Sequence, residues 1–232
     1  MKTRIVLCVG CLASLCLMGS AFGVMYVVPE NPGTRDGLSW ETAYTSIQGG
    51  MYYSVTGDDG EVWVKEGTYN ETLWMMSGAQ VYGGFAGNET SREDRNVTEN
   101  PTVINGGGAN HVVTFHTPIS NARLDGFTIT GGTAQGSTAD GDAGGIRCLM
   151  ADETCAVANC IITGNTAIRN GGGMALEYSN IAVVNCRFDT NSADGHGGAI
   201  HCDYDSAPTI TCLLYTSPSP RDRTRSRMPS SA

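Results

Sequence analysis

Ala156-Val-Ala-Asn-Cys160-Ile-Ile-Thr-Gly-Asn165-Thr-Ala167 aligns position for position with Ala182-Val-Val-Asn-Cys186-Arg-Phe-Asp-Thr-Asn191-Ser-Ala193, 26 residues further on. A looser copy, Leu124-Asp-Gly-Phe127-Thr-Ile129-Thr-Gly-Gly-Thr-Ala134, stands 33 residues ahead of the first, and an extra glycine-rich loop accounts for the longer interval. After each copy come a glycine pair and an apolar run: Gly144-Gly145-Ile146, Gly172-Gly173-Met174 and Gly197-Gly198-Ala199-Ile200. Within the copies Val184, Cys186 and Phe188 alternate with Asn185 and Arg187, which is the period of a half-buried strand and not of a helix. Short strands, glycine turns and a fixed offset predict one coil of a solenoid per repeat, each coil burying its interior on its neighbours. Phe127, Cys160 and Cys186 then stack inside the solenoid, and Ile129, Ile162 and Phe188 form a second stack. Asn165 over Asn191 predicts an asparagine ladder at a turn, with side-chain amides bonding from coil to coil. Coils about 4.8 Å apart bring Cys160 and Cys186 within reach of a disulfide. Two stacked buried thiols are the alternative, because small apolar stacking alone accounts for them.

Two of these runs resemble a known family. Gly197-Gly198-Ala199-Ile200 and Phe188-Asp189-Thr190-Asn191 are similar to the G-G-A-I and F-x-x-N motifs of polymorphic outer-membrane proteins, with Ile162-Thr163-Gly164-Asn165 as a variant. Upstream, Ser39-Trp-Glu-Thr-Ala-Tyr44, Glu61-Val-Trp-Val-Lys-Glu-Gly-Thr-Tyr69, Tyr82-Gly-Gly-Phe-Ala-Gly87 and Leu124-Asp-Gly-Phe-Thr-Ile129 resemble the start of bacterial right-handed β-helix repeat proteins. The resemblance spans nearly all of residues 24–211. It implies an all-β chain, a right-handed parallel β-helix of the pectate-lyase-like type, with a short N-terminal capping segment. In that order residues 24–60 are the cap and 61–211 the β-helix. Ser39 or Thr42 would cap a short helix carrying Ala43, Ile47 and Met51, the run 87–101 would be a surface loop, and Val62 to Lys65 and Ala79 to Tyr82 would begin the coils.

The two ends differ from the middle. Met1-Lys-Thr-Arg4, the apolar run from Ile5 to Met18 and the small-residue stretch Gly19-Ser-Ala-Phe-Gly23 have the order of a secretory signal over 1–23. That apolar run is shorter than the roughly 20 residues a membrane-spanning helix needs. Residues 212–232 bring four arginines and three prolines into a chain otherwise poor in arginine. They resemble one reading frame of a transposase-type sequencing adapter, which implies an artefactual, disordered tail. Between them, residues 24–211 hold 22 acids and 8 bases, a net charge of −14. That sign disfavours nucleic acid and anionic surfaces as partners and leaves cations, glycans or proteins. Cys148, Cys155, Cys160, Cys186 and Cys202 are five in number, so they form no closed disulfide framework.

For a polysaccharide-cleaving enzyme the resemblance implies one of two sets, calcium-binding carboxylates with a basic residue or a pair of carboxylates across the scissile bond. Asp140 and Asp142, in a glycine-flanked loop, are the candidate calcium ligands, a solvated turn being the alternative. Asp189, Asp194 with His196, and Asp203 with Asp205 are the other acidic candidates, the last two expected to share one face of a strand. Arg147, Arg187 and His201 fall on outward positions where they would meet acidic sugars. The glycine triplets at 106–108 and 171–173 lack the Lys-Ser/Thr and the helix of a phosphate loop. No complete catalytic set is visible in the sequence, and no cofactor is required, calcium being the one candidate. The sequence therefore points to an exported protein, extracellular or at the cell surface or outer membrane, that acts by binding or adhesion. Its expected partner is a glycan or a cell-surface protein, with a membrane involved only through a C-terminal anchor outside this chain. A polysaccharide lyase or glycoside hydrolase with its catalytic coils beyond residue 211, and a structural stalk, are the alternatives.

Overall fold

The computed structural model describes residues 23–30, 33–55, 60–116, 118–211 and 214–215. The leader expected over 1–23 lies outside the described residues except for Gly23, and the expected tail 212–232 except for 214–215. Every strand pairing among the described residues is parallel, and the strands fall into four sheets. The first sheet contains Met25–Val27, Glu61–Lys65, Gln80–Phe85, Arg123–Asp125, Ala156–Ala158, Ala182–Val184 and Thr209–Thr211. The second contains Gly67–Tyr69, Thr102–Asn105, Phe127–Thr130, Ile161–Thr163, Arg187–Asp189 and Leu214–Tyr215. The third is made of Leu73–Met75, Val113–Phe115, Ile146–Leu149, Met174–Glu177 and Ile200–Asp203. A short fourth sheet, Thr133–Ala134, Thr166–Ala167 and Ser192–Ala193, lies in sequence between the second and the third.

The chain thus runs repeatedly through the first, second and third sheets and back, laying each strand beside its counterpart from the circuit before. In-register pairing turns a sequence repeat into columns of like side chains. Val62, Val81, Leu124, Val157 and Val183 make one fully buried column. Ile104, Ile129, Ile162 and Phe188 make a second, and Leu73, Val113, Ile146 and Met174 a third. Burying each such side chain contributes about 1.5–3 kcal/mol, so the interior columns are the main source of cohesion between circuits.

Left-handed residues turn the chain at four corners. Gly126, Asn159 and Asn185 have φ of 86°, 50° and 52°, followed by Gly131, Gly164 and Thr190 at 75°, 65° and 51°. Ala143, Gly171 and Gly197 have 60°, 64° and 63°, and Met150, Tyr178 and Tyr204 have 59°, 49° and 48°. The first corner corrects one expectation. Val184 is exposed and Val183 buried, because left-handed Asn185 rotates the chain and breaks the alternation that would have put Val184 beside Cys186 and Phe188. Circuits approach closely beside the glycine pairs. A Cβ on Gly173 would stand 2.6 Å from the Ala199 carbonyl oxygen, so a side chain there would push two circuits apart.

The helix Ile47–Ser54 places Ile47 and Met51 in the core with Val27, Val62 and Leu73. Its cap is Ser46, not Ser39 or Thr42. The Ser46 hydroxyl accepts from the Gly49 amide at 3.2 Å, while the Glu71 carboxylate takes the Ile47 amide at 2.8 Å and the Ser46 hydroxyl at 2.8 Å. Ser39 and Thr42 instead close their own turn, the Thr42 amide donating to the Ser39 carbonyl and hydroxyl. A carboxylate brought from a later circuit is what a local capping pattern does not contain. On the outer side of the first sheet, Trp63, Tyr82 and Phe85 are buried under Trp40 and the run 87–101, from which Arg92 and Arg95 lie 4.9 and 5.1 Å from the Tyr82 ring centre.

Candidate ligand-binding face on the third sheet

Outward positions of the third sheet form their own columns. Trp74, Thr114, Arg147, Ala175 and His201 are in register along one, and Glu177 pairs with Asp203 in the next. Ala175 is the small residue of its column, in register between Arg147 and His201. A cleft of ≈ 160 Å³ opens there, lined by Thr138, Asp142, Arg169, Ala175, Glu177, His201, Asp203 and Tyr204.

The charges around the cleft are paired, but loosely. Arg147 is 3.6 Å from Glu177 and 3.6 Å from Asp140, Arg169 is 3.6 Å from Asp142, and His201 Nε2 is 3.8 Å from Asp203. These separations lie beyond hydrogen-bond distance. Arg147 Nε, Glu177 Oε1 and His201 Nε2 are accordingly buried with no hydrogen-bond partner, and a fourth such atom, Arg187 Nε, lies on the second sheet. A buried polar atom left without a partner costs about 1–3 kcal/mol, so three on neighbouring strands of one sheet are a local cost to the fold, and two of them belong to residues that line the cleft.

The candidates expected from the sequence separate in space. Arg147 and His201 share this face, whereas Arg187 lies on the second sheet, 3.0 Å from Asp189. Asp140 and Asp142 turn to different arginines, and Asp142 also accepts the Asn170 amide at 2.8 Å. Calcium takes six to eight oxygens, and two carboxylates each held against a guanidinium do not make that shell. Among the described residues no group of three or more His, Cys, Asp and Glu gathers to hold a metal. Asp203 and Asp205 do not share a strand face: the strand ends at Asp203, and Tyr204 and Asp205 turn away with φ of 48° and 58°. His196 donates its amide to Asn170 Oδ1 at 2.9 Å, and its ring lies 6.3 Å from that of His201.

Cys160 and Cys186 are free thiols at 1% exposure, in adjacent circuits, and they donate to the carbonyls of Ala158 at 3.1 Å and Val184 at 3.4 Å. Burial pushes the Cys160 thiol far above its ordinary range, which makes it packing and not a nucleophile. Asn165 is fully buried in the expected ladder. Its Nδ2 donates to Asn191 Oδ1 and to the Ile129 and Thr163 carbonyls, at 3.0 to 3.1 Å, and its Oδ1 accepts the Gly132 amide. A second ladder, unforeseen, runs along the first corner: Asn185 donates to Asn159 at 2.7 Å, and Asn159 to Asp125 at 2.8 Å.

A larger hollow of ≈ 430 Å³ lies by Val28, Pro29, Glu30, Trp40, Glu41 and Lys65. Its aromatic wall is already spent on the fold: Trp40 packs 4.6 Å from Tyr26 and donates Nε1 to the Glu89 carbonyl. The third-sheet cleft is therefore the better candidate. Glu177 and Arg169 were not singled out from the sequence, although Glu177-Tyr178 stands 26 residues ahead of Asp203-Tyr204, the same offset as the repeat.

No family model, curated protein or solved structure matches this chain.

Proposed function

We propose that the circuits wind as a right-handed parallel β-helix, exported from the cell, whose third-sheet face binds an extracellular ligand. Handedness is supported by the parallel strands, since crossovers between parallel strands of one sheet are right-handed in about 98% of cases. The observation that carries the binding reading is the cleft on the third sheet, whose lining residues Glu177 and His201 hold polar atoms without hydrogen-bond partners, with a third such atom on neighbouring Arg147. Catalysis is less well supported. Glu177 and Asp203 do pair across neighbouring strands, but Glu177 stands 3.6 Å from Arg147 and Asp203 3.8 Å from the His201 ring.

Films of plant and bacterial polysaccharides probed with beads carrying the full chain test this reading. Retention without new reducing ends is the expected result. Retention with depolymerisation would replace binding by the enzyme alternative, and no retention on any film would leave a protein ligand or the stalk.

A further inference from the structure

The corner that follows the third sheet has an unusual composition. Met150, Tyr178 and Tyr204 occupy it in successive circuits, linked by hydrogen bonds from the Met150 amide to the Glu177 carbonyl and from the Tyr178 amide to the Tyr204 carbonyl. All three adopt left-handed φ, a conformation that costs a bulky L-residue about 1–2 kcal/mol and that glycine, asparagine or threonine fills at two of the other corners. All three are also exposed: Met150 by 45%, Tyr178 by 52% and Tyr204 by 53%. Tyr178 has a circuit on either side of it and is still as exposed as Tyr204, so its exposure is built in. The two rings stack, with centres 5.3 Å apart and planes 20° apart. A strained backbone that displays large apolar side chains gives the fold nothing that a glycine would not give at lower cost. Strain of this kind collects where a side chain serves a ligand.

Tyr204 also lines the cleft, so the tyrosine stripe and the loosely paired charges make one surface. The stripe runs across the strands, along the direction in which circuits accumulate, with one large side chain per circuit. Its ring spacing is close to the length of one pyranose residue in an extended chain. The charges beside it run to an excess of acid: Arg147 faces Glu177 and Asp140, Arg169 faces Asp142, and Asp203 stands beside the His201 ring. A polyanion would have to displace carboxylates from every cation it met. A neutral hydroxyl both donates and accepts, and it satisfies a carboxylate and a guanidinium held just beyond hydrogen-bond distance of each other.

We infer that Tyr178 and Tyr204, with the adjoining cleft lined by Glu177, His201 and Asp203, form a binding stripe for a neutral polysaccharide lying along the stack of circuits. The inference rests on the binding reading above and narrows it to a ligand class and an orientation. Sugar rings lie against Met150 and the outward edges of the Tyr178–Tyr204 stack, whose faces are turned to each other, and their hydroxyls reach the Glu177 and His201 side chains that line the cleft.

Affinity electrophoresis of the full chain tests it, in gels holding dextran, β-glucan, galactomannan or arabinoxylan, with polygalacturonate and alginate as the charged set. Retardation by at least one neutral polymer is expected. Tyr178→Gly and Tyr204→Gly should each weaken it about tenfold, as truncated aromatic anchors do, while the thermal midpoint does not fall, because glycine relieves the left-handed strain. Tyr178→Asn provides a second variant that also tolerates this backbone, and Tyr52→Ala, an exposed tyrosine of the helix, should change neither readout. Retardation by the charged polymers alone would overturn the neutral assignment and leave the binding reading standing. Retardation that survives loss of both tyrosines would overturn the stripe. No retardation in any gel would overturn the stripe and leave the binding reading with a protein ligand alone.

Discussion

Two corners of each circuit use the same left-handed backbone for opposite ends. At the corner between the second and fourth sheets the left-handed residues are Gly131, Gly164 and Thr190, and the next position carries Asn165 and Asn191, whose amides bond circuit to circuit in the interior. At the corner after the third sheet they are Met150, Tyr178 and Tyr204, whose side chains are exposed to solvent. The first corner is made of what the backbone and the stack require. The second carries strain and exposed apolar area that neither requires. The difference separates residues kept for the fold from residues available for a ligand.

Large stability losses are therefore expected on the ladder side and small ones on the tyrosine side. The largest belongs to Asp125, which is 1% exposed, accepts from Asn159, and meets Arg95 at 2.7 Å and Arg123 at 2.5 Å. Asp125→Ala leaves Arg95 partly buried without its partner and should cost about 3 kcal/mol or more in urea unfolding. Asn165→Ala removes partners from the Gly132 amide and the Ile129 carbonyl and should cost about 2–3 kcal/mol by the same measurement.

Stability should also depend on acid through Asp125. Burial opposes its charge, but hydrogen bonds from Asn159 and Arg95 outweigh burial and hold its carboxyl below the usual range. A depressed folded pKa means that the stabilisation is fully present above the unfolded value of about 3.9 and is lost as pH falls through the folded one. Urea midpoints of wild type and Asp125→Asn, followed from neutral pH downward, should therefore converge in acid. A gap independent of pH would show that Asp125 acts through packing alone.

The smallest effect is expected at Ala143, which stands at φ 60° in the column of Gly171 and Gly197. Ala143→Gly relieves that backbone but loosens the unfolded chain, so it should shift stability by about 1 kcal/mol or less, toward the folded state. A clear loss would mean that the buried Ala143 methyl packs more firmly than its corner suggests.

The columns were legible because a strict offset puts Ile162 and Phe188, or Asn165 and Asn191, at the same point of successive circuits. Val184 was misplaced because strict alternation assumes an unbroken strand, and Asn185 turns the chain inside the motif. The helix cap was missed because Glu71 arrives from a later part of the chain, with no local spacing to announce it. Glu177, Arg169 and the tyrosine stripe were hidden for another reason. Met174-Ala-Leu-Glu177 has the composition of a core strand, and its outward members gain meaning only beside Arg169 from the turn before it and Asp203 and Tyr204 from the next circuit. The offset that aligned the ladders also aligns Glu177-Tyr178 with Asp203-Tyr204, so in a solenoid repeated exposed positions are as informative as repeated buried ones.

Hydroxyl-radical footprinting of the full chain, with and without the neutral polysaccharide that retards it most, tests the central claim most directly. The account predicts that Met150, Tyr178 and Tyr204 become protected together while Tyr52 and Tyr53 on the helix stay reactive. Protection of the helix tyrosines, or of the Trp40 and Lys65 hollow, with Tyr178 and Tyr204 unchanged, would contradict it.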